Sequence, residues 1–320
     1  MNKTAKWLGY AVGALVGAAA PIAAQTPSSS AALDTKANEI VVVGQRSGIP
    51  IWRVESDRTT LILVGTIDGI TKGTSWDPTS LVEMLRMGDR VMFPQMQAVS
   101  VSPFAAIGYL AKWRKQATLP KGQSLANFLT PAQYRRLMAL QARGVIAPGS
   151  EKKHPLHLAM TLRGRANGKQ GYAQSADQYV MRAVRKHKLN MVPIQKSAAK
   201  PFANELFGTS PTRHVPCLVD AMTMAEAGPG AVAARSQAWA QRRVAQAINS
   251  PAESVYHSCF PAGGPDAPAR RAALHASIKR LLAEPKVTVA VLDLHTLARR
   301  GGILDDLAAS GHDVRGPAWK

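Results

Sequence analysis

The sequence contains few of the residues that define several well-known kinds of site. Only 2 of its 320 residues are cysteine, and aromatic residues make up 6%. A Gly-x-Ser-x-Gly elbow, a Walker loop and a Gly-x-Gly-x-x-Gly turn after a strand are all missing. Their absence argues against a serine hydrolase of the nucleophile-elbow type and against nucleotide binding. There is also no zinc finger, no RNP motif and no basic stripe with interleaved aromatics, so nucleic acid is not an expected partner.

Acidic residues are scarce as well. The chain has 40 Lys and Arg against 20 Asp and Glu, which gives a formal net charge of +20. A charge of this sign favours anionic partners, for example lipid head groups or acidic polysaccharide of the cell envelope. The alternative is that the charge serves only to keep the protein in solution.

One long hydrophobic run is present, and it lies close to the N-terminus. Residues 7–20 are apolar or small, Lys3 and Lys6 precede them, and small residues follow up to Ala24. This layout predicts a signal peptide over residues 1–24 and a periplasmic or secreted protein. The run of 14 residues is short for a membrane span, although an uncleaved anchor is the alternative. Cleavage would lower the net charge from +20 to +18.

The two cysteines are Cys217 and Cys259. An even pair in an exported chain predicts one disulfide, which would stabilise the fold by about 3–4 kcal/mol in the chain-entropy model. A zinc site or a nucleophilic thiol is the alternative, but neither cysteine lies in a supporting motif.

Residues 25–47 are interpreted as a flexible lead-in to a single domain over residues 48–320. Within the lead-in, residues 39–46, from Glu39 to Arg46, resemble the TonB box, a segment that pairs with its partner by strand addition. An ordinary edge strand is the alternative interpretation of this β-branched run.

The remaining pattern predicts an α/β fold, with a central mixed sheet built from both chain ends and a helical middle segment. Each end shows a strand–loop–helix–strand pseudo-repeat. Strands are expected at 51–55, 60–66, 89–93, 190–194 and 286–295, with a last short strand after Gly311. Helices are expected at 78–88, 103–116, 130–143, 155–165, 174–187, 198–207, 214–227, 233–248, 266–283 and 301–311. If the two ends contribute parallel strands, Asp68 and His295 leave the sheet at the same carboxyl edge, where open α/β sheets place their sites.

Four stretches at the two ends carry a family resemblance. They are "IWRV" at 51–54, "LILVGTID" at 61–68, "VAVLDLHTL" at 289–297 and "GGILDDLAASGHDV" at 301–314. Together they resemble the TraB/GumN family, relatives of the Tiki metalloproteases, over about residues 48–316. The resemblance implies hydrolysis assisted by a divalent metal ion, which such enzymes hold with about three protein ligands.

The sequence departs from the family pattern at most positions expected to carry chemistry. The first family histidine falls on Asp68, a mid-chain glutamate falls on Gln195, and a strand-end acid falls on Pro94 or Gln95. His295 matches the pattern, and Asp293 lies two residues before it.

Asp68, Asp293 and His295 are therefore the candidate ligands for Mn, Co or Zn, with a chain that holds no metal as the alternative. Without a metal, Asp68 would cap a turn and His295 would be a hydrogen-bonded histidine at a strand end. Gln195, Arg299 and Arg300 are candidate binding residues, and the two arginines are suited to an anionic group.

Two hypotheses follow from this degenerate motif set. The first is a non-catalytic or catalytically altered relative of the metal-dependent hydrolases that acts in the cell envelope. The second is an active hydrolase or peptidase with Asp68 and His295 as metal ligands. His154 and His157 are interpreted as two exposed imidazoles at a helix start, with a shared metal ion as the alternative. His214, His257, His275 and His312 are interpreted as single surface residues.

Overall fold

The computed structural model describes residues 29–56, 59–94, 103–166, 173–193, 199–261, 264 and 267–320. The predicted signal peptide and Gln195 lie outside these ranges.

Five strands form one mixed sheet in the order β3-β4-β2-β1-β5. The strands are β1 (Ile51–Ser56), β2 (Thr59–Thr66), β3 (Arg90–Met92), β4 (Val287–Asp293) and β5 (Val314–Arg315). The strand β4 lies between β3 and β2 and is parallel to both, whereas β1 is antiparallel to β2 and to β5. The α/β class, the mixed sheet and its construction from both chain ends are confirmed.

Helices make up most of the described chain outside the sheet. Those near the N-terminal strands and in the middle are α1 (Ser29–Arg46), α2 (Pro78–Met87), α3 (Pro103–Lys115), α4 (Pro131–Ala142), α5 (Pro155–Ala166), α6 (Ala176–His187), α7 (Ala199–Phe207) and α8 (Val215–Ala227). The later ones are α9 (Pro229–Ala240), α10 (Val244–Ile248), α11 (Ser254–Cys259), α12 (Pro268–Leu281), α13 (Leu294–Ala298) and α14 (Ile303–Ala309). Among these described helices, none combines the length and hydrophobicity that a bilayer span requires.

The helix α1 corrects the prediction of a flexible lead-in and of an edge strand at residues 39–46. Ala37, Ile40 and Val43 recur at helical spacing, and all three are buried. Lys36 forms an ion pair with Asp89, which ties the same helix to the segment before β3. Tertiary packing of this apolar stripe therefore overrides the strand preference of the β-branched run. Strand pairing of the TonB type would require this helix to unfold.

Two further element predictions were wrong. The strand expected at 190–194 is reduced to a single bridge between Met191 and Val91, because Pro193 has no N–H to continue a ladder. The helix expected at 233–248 is broken into α9 and α10 by a turn in which Arg242 has a φ of 59°. Single left-handed residues of this kind end helices.

Two hydrophobic clusters hold these elements. The sheet core packs α1, α2, α6 and α12 against the strands, and the helical core joins α4, α5, α8 and α11. The helix α9 belongs to both, since Trp239 lies in the sheet core and Val232 in the helical core. The predicted disulfide is confirmed inside the helical core, where Cys217 and Cys259 are bonded with their Cα atoms 4.5 Å apart.

Three histidines in the helical middle form a partly buried cluster, which corrects their interpretation as surface residues. The ring of His154 lies 5.4 Å from that of His214 and 6.3 Å from that of His157, between centroids. His214 is only 1% exposed, and Trp113 stacks on His157. Burial lowers the pKa of all three imidazoles, and with the neighbouring histidine charges it brings the pKa of His154 to about 4.

We predict that this cluster weakens the fold as the pH falls. Unfolded His154 titrates near 6.5 and folded His154 near 4, so the unfolded state binds more protons between these values. The stabilisation is complete above pH 6.5 and is lost as the pH falls towards 4. In His154→Asn, the loss of unfolding free energy between neutral and acid pH should shrink by about 1–2 kcal/mol, discounted for partial exposure.

Urea unfolding at several pH values measures this effect. Asparagine can still cap the start of α5, so the substitution tests the titration more than the helix. His187→Asn, on α6, serves as the matched control. An acid-induced loss of the same size in wild type and His154→Asn would contradict the prediction.

Candidate functional site

The carboxyl ends of β2 and β4 meet at one edge of the sheet. The two strands run parallel with Thr66 opposite Asp293, so both chains leave the sheet side by side. Asp293 ends β4 and caps α13, because its Oδ1 accepts hydrogen bonds from the backbone N–H and the hydroxyl of Thr296. The predicted parallel arrangement of these two strands, one from each chain end, is therefore confirmed.

His295 lies in the first turn of α13, since the strand ends at Asp293 instead of continuing to residue 295. Gly65 in β2 makes room for this helix. A Cβ atom at Gly65 would lie 2.5 Å from a methyl group of Leu294, closer than folded chains tolerate. The start of α13, and with it His295, is thus seated directly on the sheet.

His257 joins Asp293 and His295 from the helical middle. It lies on α11, two residues before Cys259, whose disulfide fastens this short helix to α8. Within the described part of the chain, these three side chains are the one group whose potential ligand atoms all lie within 4.8 Å of one another. Sequence reasoning treated His257 as a surface residue, and only its closeness to a bonded cysteine hinted otherwise.

The two imidazoles of this group stack on each other. Their centroids are 4.0 Å apart and their planes differ by 27°. Nε2 of His257 also lies 3.6 Å from Oδ1 of Asp293 and 4.0 Å from Oε1 of Glu253. Histidine binds metals through lone pairs in the ring plane, so one of two nearly parallel rings must turn before both can share an ion.

A buried ion pair lies behind the histidines. Arg235 of α9 donates from Nη1 to Oε2 of Glu253 at 2.9 Å, and both side chains are about 5% exposed or less. Burial raises the pKa of Glu253, and the guanidinium of Arg235 opposes that rise. The same guanidinium donates from Nη2 to the carbonyl oxygens of Asp68 and Gly69. Arg235 therefore joins the exit of β2 to the segment that leads into α11.

Asp68 contributes its backbone to this region but not its carboxylate. Its side chain is 64% exposed and forms an ion pair with Arg163 of α5. Among the described residues, it is not a member of the group formed by His257, Asp293 and His295. The expected pairing of Asp68 with His295 is replaced by a pairing of Asp293 with two histidines.

Asp177 supplies a second carboxyl group to this edge, and sequence reasoning missed it. It is the second residue of α6, and the Thr66 hydroxyl lies within hydrogen-bonding reach of it. Its Oδ1 is buried and has no hydrogen-bond partner in the described ranges. Burial, reinforced by the negative charge of Asp293, raises the pKa of Asp177 to about 6. A carboxyl group with such a pKa can exchange a proton near neutral pH.

Of the three other predicted binding residues, two lie beside the candidate site. Arg299 ends α13, Arg300 follows it, and both line a cavity that His295 also lines. Gln195 falls outside the described residues.

The chain belongs to the TraB/PrgY/gumN family, since the family model matches residues 50–316. The family resemblance read from the strand ends is therefore confirmed. No curated protein and no solved structure gives a significant match to this chain.

The donor set suits the divalent ion that the family resemblance implies. Two imidazoles and one carboxylate are a recognised set for first-row transition metals and for zinc. The orphaned buried oxygen of Asp177 places an additional carboxyl group close by. The residues present therefore fit a metal ion, with His257, Asp293 and His295 as the side chains that would hold it.

We predict that substitution of Arg235 lowers the unfolding free energy more than substitution of any other residue of the site. Arg235→Met would leave the buried carboxylate of Glu253 without its partner, which should lower the unfolding free energy by about 3–5 kcal/mol. Arg143→Met, at an exposed arginine that ends α4, should change it by less than about 0.5 kcal/mol.

Urea denaturation followed by circular dichroism measures both values. The double variant Arg235→Met/Glu253→Met should recover part of the loss, since it removes both buried charges together. Equal stability of Arg235→Met and Arg143→Met would contradict the assignment.

Proposed function

We propose that this chain is an exported, metal-dependent hydrolase of altered construction, with its metal ion held by His257, Asp293 and His295. The observation that carries the proposal is the convergence of these three side chains at the carboxyl edge of two parallel strands. Membership of the TraB/PrgY/gumN family supports the reaction class. The strand-end motifs resemble those of the TraB/GumN family, which is related to metalloproteases.

Export is part of the proposal and rests on two features. The N-terminal layout is typical of a signal peptide, and the bonded Cys217–Cys259 pair is compatible with an oxidising compartment. The periplasm or the exterior of the cell fits both features. The positive net charge further favours contact with anionic lipid or polysaccharide of the envelope.

The residues around the ion would have separate tasks. A bound divalent ion would supply Lewis-acid polarisation of the bond to be cleaved. Asp293 and the two histidines would hold it. Glu253, which is paired with Arg235, would orient His257 through its carboxylate. Asp177 would accept and return a proton, since its raised pKa suits that exchange. This role replaces the family glutamates that the sequence lacks.

A non-catalytic relative is the second candidate, and a specific observation favours it. Several carboxylates near the site already have structural partners: Asp68 pairs with Arg163, Glu253 with Arg235, and Asp293 with Thr296. If these carboxylates mainly stabilise the fold, the protein could retain the family structure without catalysing a reaction.

Metal content tests the ligand assignment. The mature protein, dialysed against Mn, Co or Zn and then freed of unbound ion, should retain about one ion per chain by elemental analysis. His257→Ala and His295→Ala should each weaken binding by at least about tenfold. Asp68→Ala should bind as wild type does, because its carboxylate faces Arg163.

This Asp68 variant separates the present assignment from the one based on sequence. Circular dichroism establishes that each variant is folded. A wild-type protein without metal, or loss of metal in Asp68→Ala equal to that in His257→Ala, would overturn the assignment.

The role of Asp177 gives a separate prediction. Asp177→Asn should keep its metal content and lower hydrolysis of fluorescently labelled casein and of chromogenic esters by about a hundredfold or more, because an amide cannot accept the proton. Asp313→Asn, at an exposed aspartate near β5, is the matched control. Metal-loaded wild type that cleaves none of these probes would favour the non-catalytic candidate, and full activity in Asp177→Asn would remove Asp177 from the mechanism.

A further inference from the structure

A cavity of about 420 Å³ adjoins the candidate metal centre. His295 belongs to both, since it is one of the three potential ligands and also lines the cavity. The other polar lining residues are Asn249, Arg299, Arg300, Asp305 and Lys320, and Trp319 adds an aromatic wall. The volume lies within the range of roughly 300–1,000 Å³ that is usual for small-molecule sites.

A turn that contains two glycines positions Arg299 and Arg300 at this cavity. Arg299 ends α13, and Gly301 follows with a φ of 64°, in the left-handed region that suits glycine. A Cβ atom at Gly302 would lie 2.7 Å from the carbonyl oxygens of Leu297 and Arg299, so this position also requires glycine. The compact turn holds the Arg299–Arg300 pair beside His295 and leads directly into α14.

The one carboxylate side chain in the lining is already satisfied. Asp305 accepts hydrogen bonds from the backbone N–H of Gly301 and from the indole N–H of Trp319. The Nζ atom of Lys320 lies 3.3 Å from the same carboxylate. The hydrogen bond from Trp319 is the largest cause that lowers the pKa of Asp305, which therefore stays ionised at neutral pH.

The cationic side chains of the lining outnumber this acid. The lining has three cationic side chains, those of Arg299, Arg300 and Lys320, and one acidic side chain, that of Asp305. This excess of cationic side chains gives the cavity a positive potential. Guanidinium groups match carboxylate and phosphate oxygens in pairs of parallel hydrogen bonds, and this geometry distinguishes them from a general positive surface.

We propose that this cavity binds an oxyanion of the substrate, a carboxylate or a phosphate group, next to the centre formed by His257, Asp293 and His295. This inference deepens the proposed function, because it names the chemical class of ligand for the same site. If a substrate bound there through its oxyanion group, the bonds next to that group would lie beside His295. The ligand is a small molecule or the end of a chain, since the cavity accommodates little more.

The experiment uses metal-free mature protein, so that anion binding is measured independently of the ion. Three probes are titrated: N-acetylglycine, inorganic phosphate and the neutral analogue N-acetylglycinamide. Binding is followed through the indole N–H signal of Trp319 and the Nε–H signals of the arginines in nuclear magnetic resonance spectra. A salt concentration of about 0.15 M suppresses long-range attraction to the basic protein.

At least one anion should shift the Trp319 signal in a saturable way, and the neutral amide should not. Arg300→Gln and Arg299→Gln should each weaken that binding by about tenfold to a hundredfold, the effect expected for a hydrogen bond to a charged group. Arg143→Gln, at the exposed arginine that ends α4, is the matched control and should bind as wild type does. Comparison of the two anions distinguishes a carboxylate site from a phosphate site.

The outcomes separate this inference from the proposed function. Failure of both anions to bind, equal binding of the neutral amide, or equal weakening in Arg143→Gln and Arg300→Gln would each overturn the oxyanion site. Metal content is measured on the same variants and should be unchanged in Arg300→Gln. Anion binding in a chain that takes up no metal would support the cavity and refute the metal assignment.

Discussion

The site depends above all on one buried guanidinium. Arg235 donates to Glu253, to the carbonyl of Ala252 and to the carbonyls of Asp68 and Gly69. A charge withdrawn from water to this extent needs all of its partners, so the loop after β2 and the segment before α11 are fixed relative to α9. His257 follows Glu253 by one helical turn, and the disulfide fastens the other end of α11. The histidine is thus positioned from both sides.

Asp68, just after β2, shows that a motif residue can change while the backbone around the candidate site keeps its arrangement. Asp68 occupies the position where the family pattern has a histidine, and its side chain turns away to Arg163. Its carbonyl oxygen nevertheless accepts a hydrogen bond from Arg235 and so belongs to the scaffold of the site. An imidazole reaches this edge from α11 instead, that of His257. In the proposed function, His257 would therefore take the place of the histidine that the motif lacks.

The sequence predicted the parts of the molecule that local patterns determine. The apolar strands β2 and β4, their shared carboxyl edge and the cysteine pair could all be predicted from short stretches, whereas His295 was expected in the strand and lies in α13. His257, Asp177, Glu253 and Arg235 could not, because each acts through contacts with residues far away in the chain and none lies in a distinctive motif. The helix α1 was missed for a related reason. Its β-branched residues favour a strand locally, and only burial of its apolar stripe against α2 and the sheet decides for a helix.

The charge balance at the edge of the sheet gives a physical reason for a cation there. Burial, reinforced by repulsion from the negative charge of Asp293, raises the pKa of both Asp177 and Glu253, and among these three described carboxyl groups of the edge Arg235 pairs with Glu253 alone. Without a cation, part of this repulsion is relieved by a proton, because burial and the charge of Asp293 raise the pKa of Asp177 to about 6. A divalent ion among His257, Asp293 and His295 would offset the same surplus and allow Asp177 to ionise. In the proposed function, the ion and the proton would therefore be two alternative ways to offset the same negative charge.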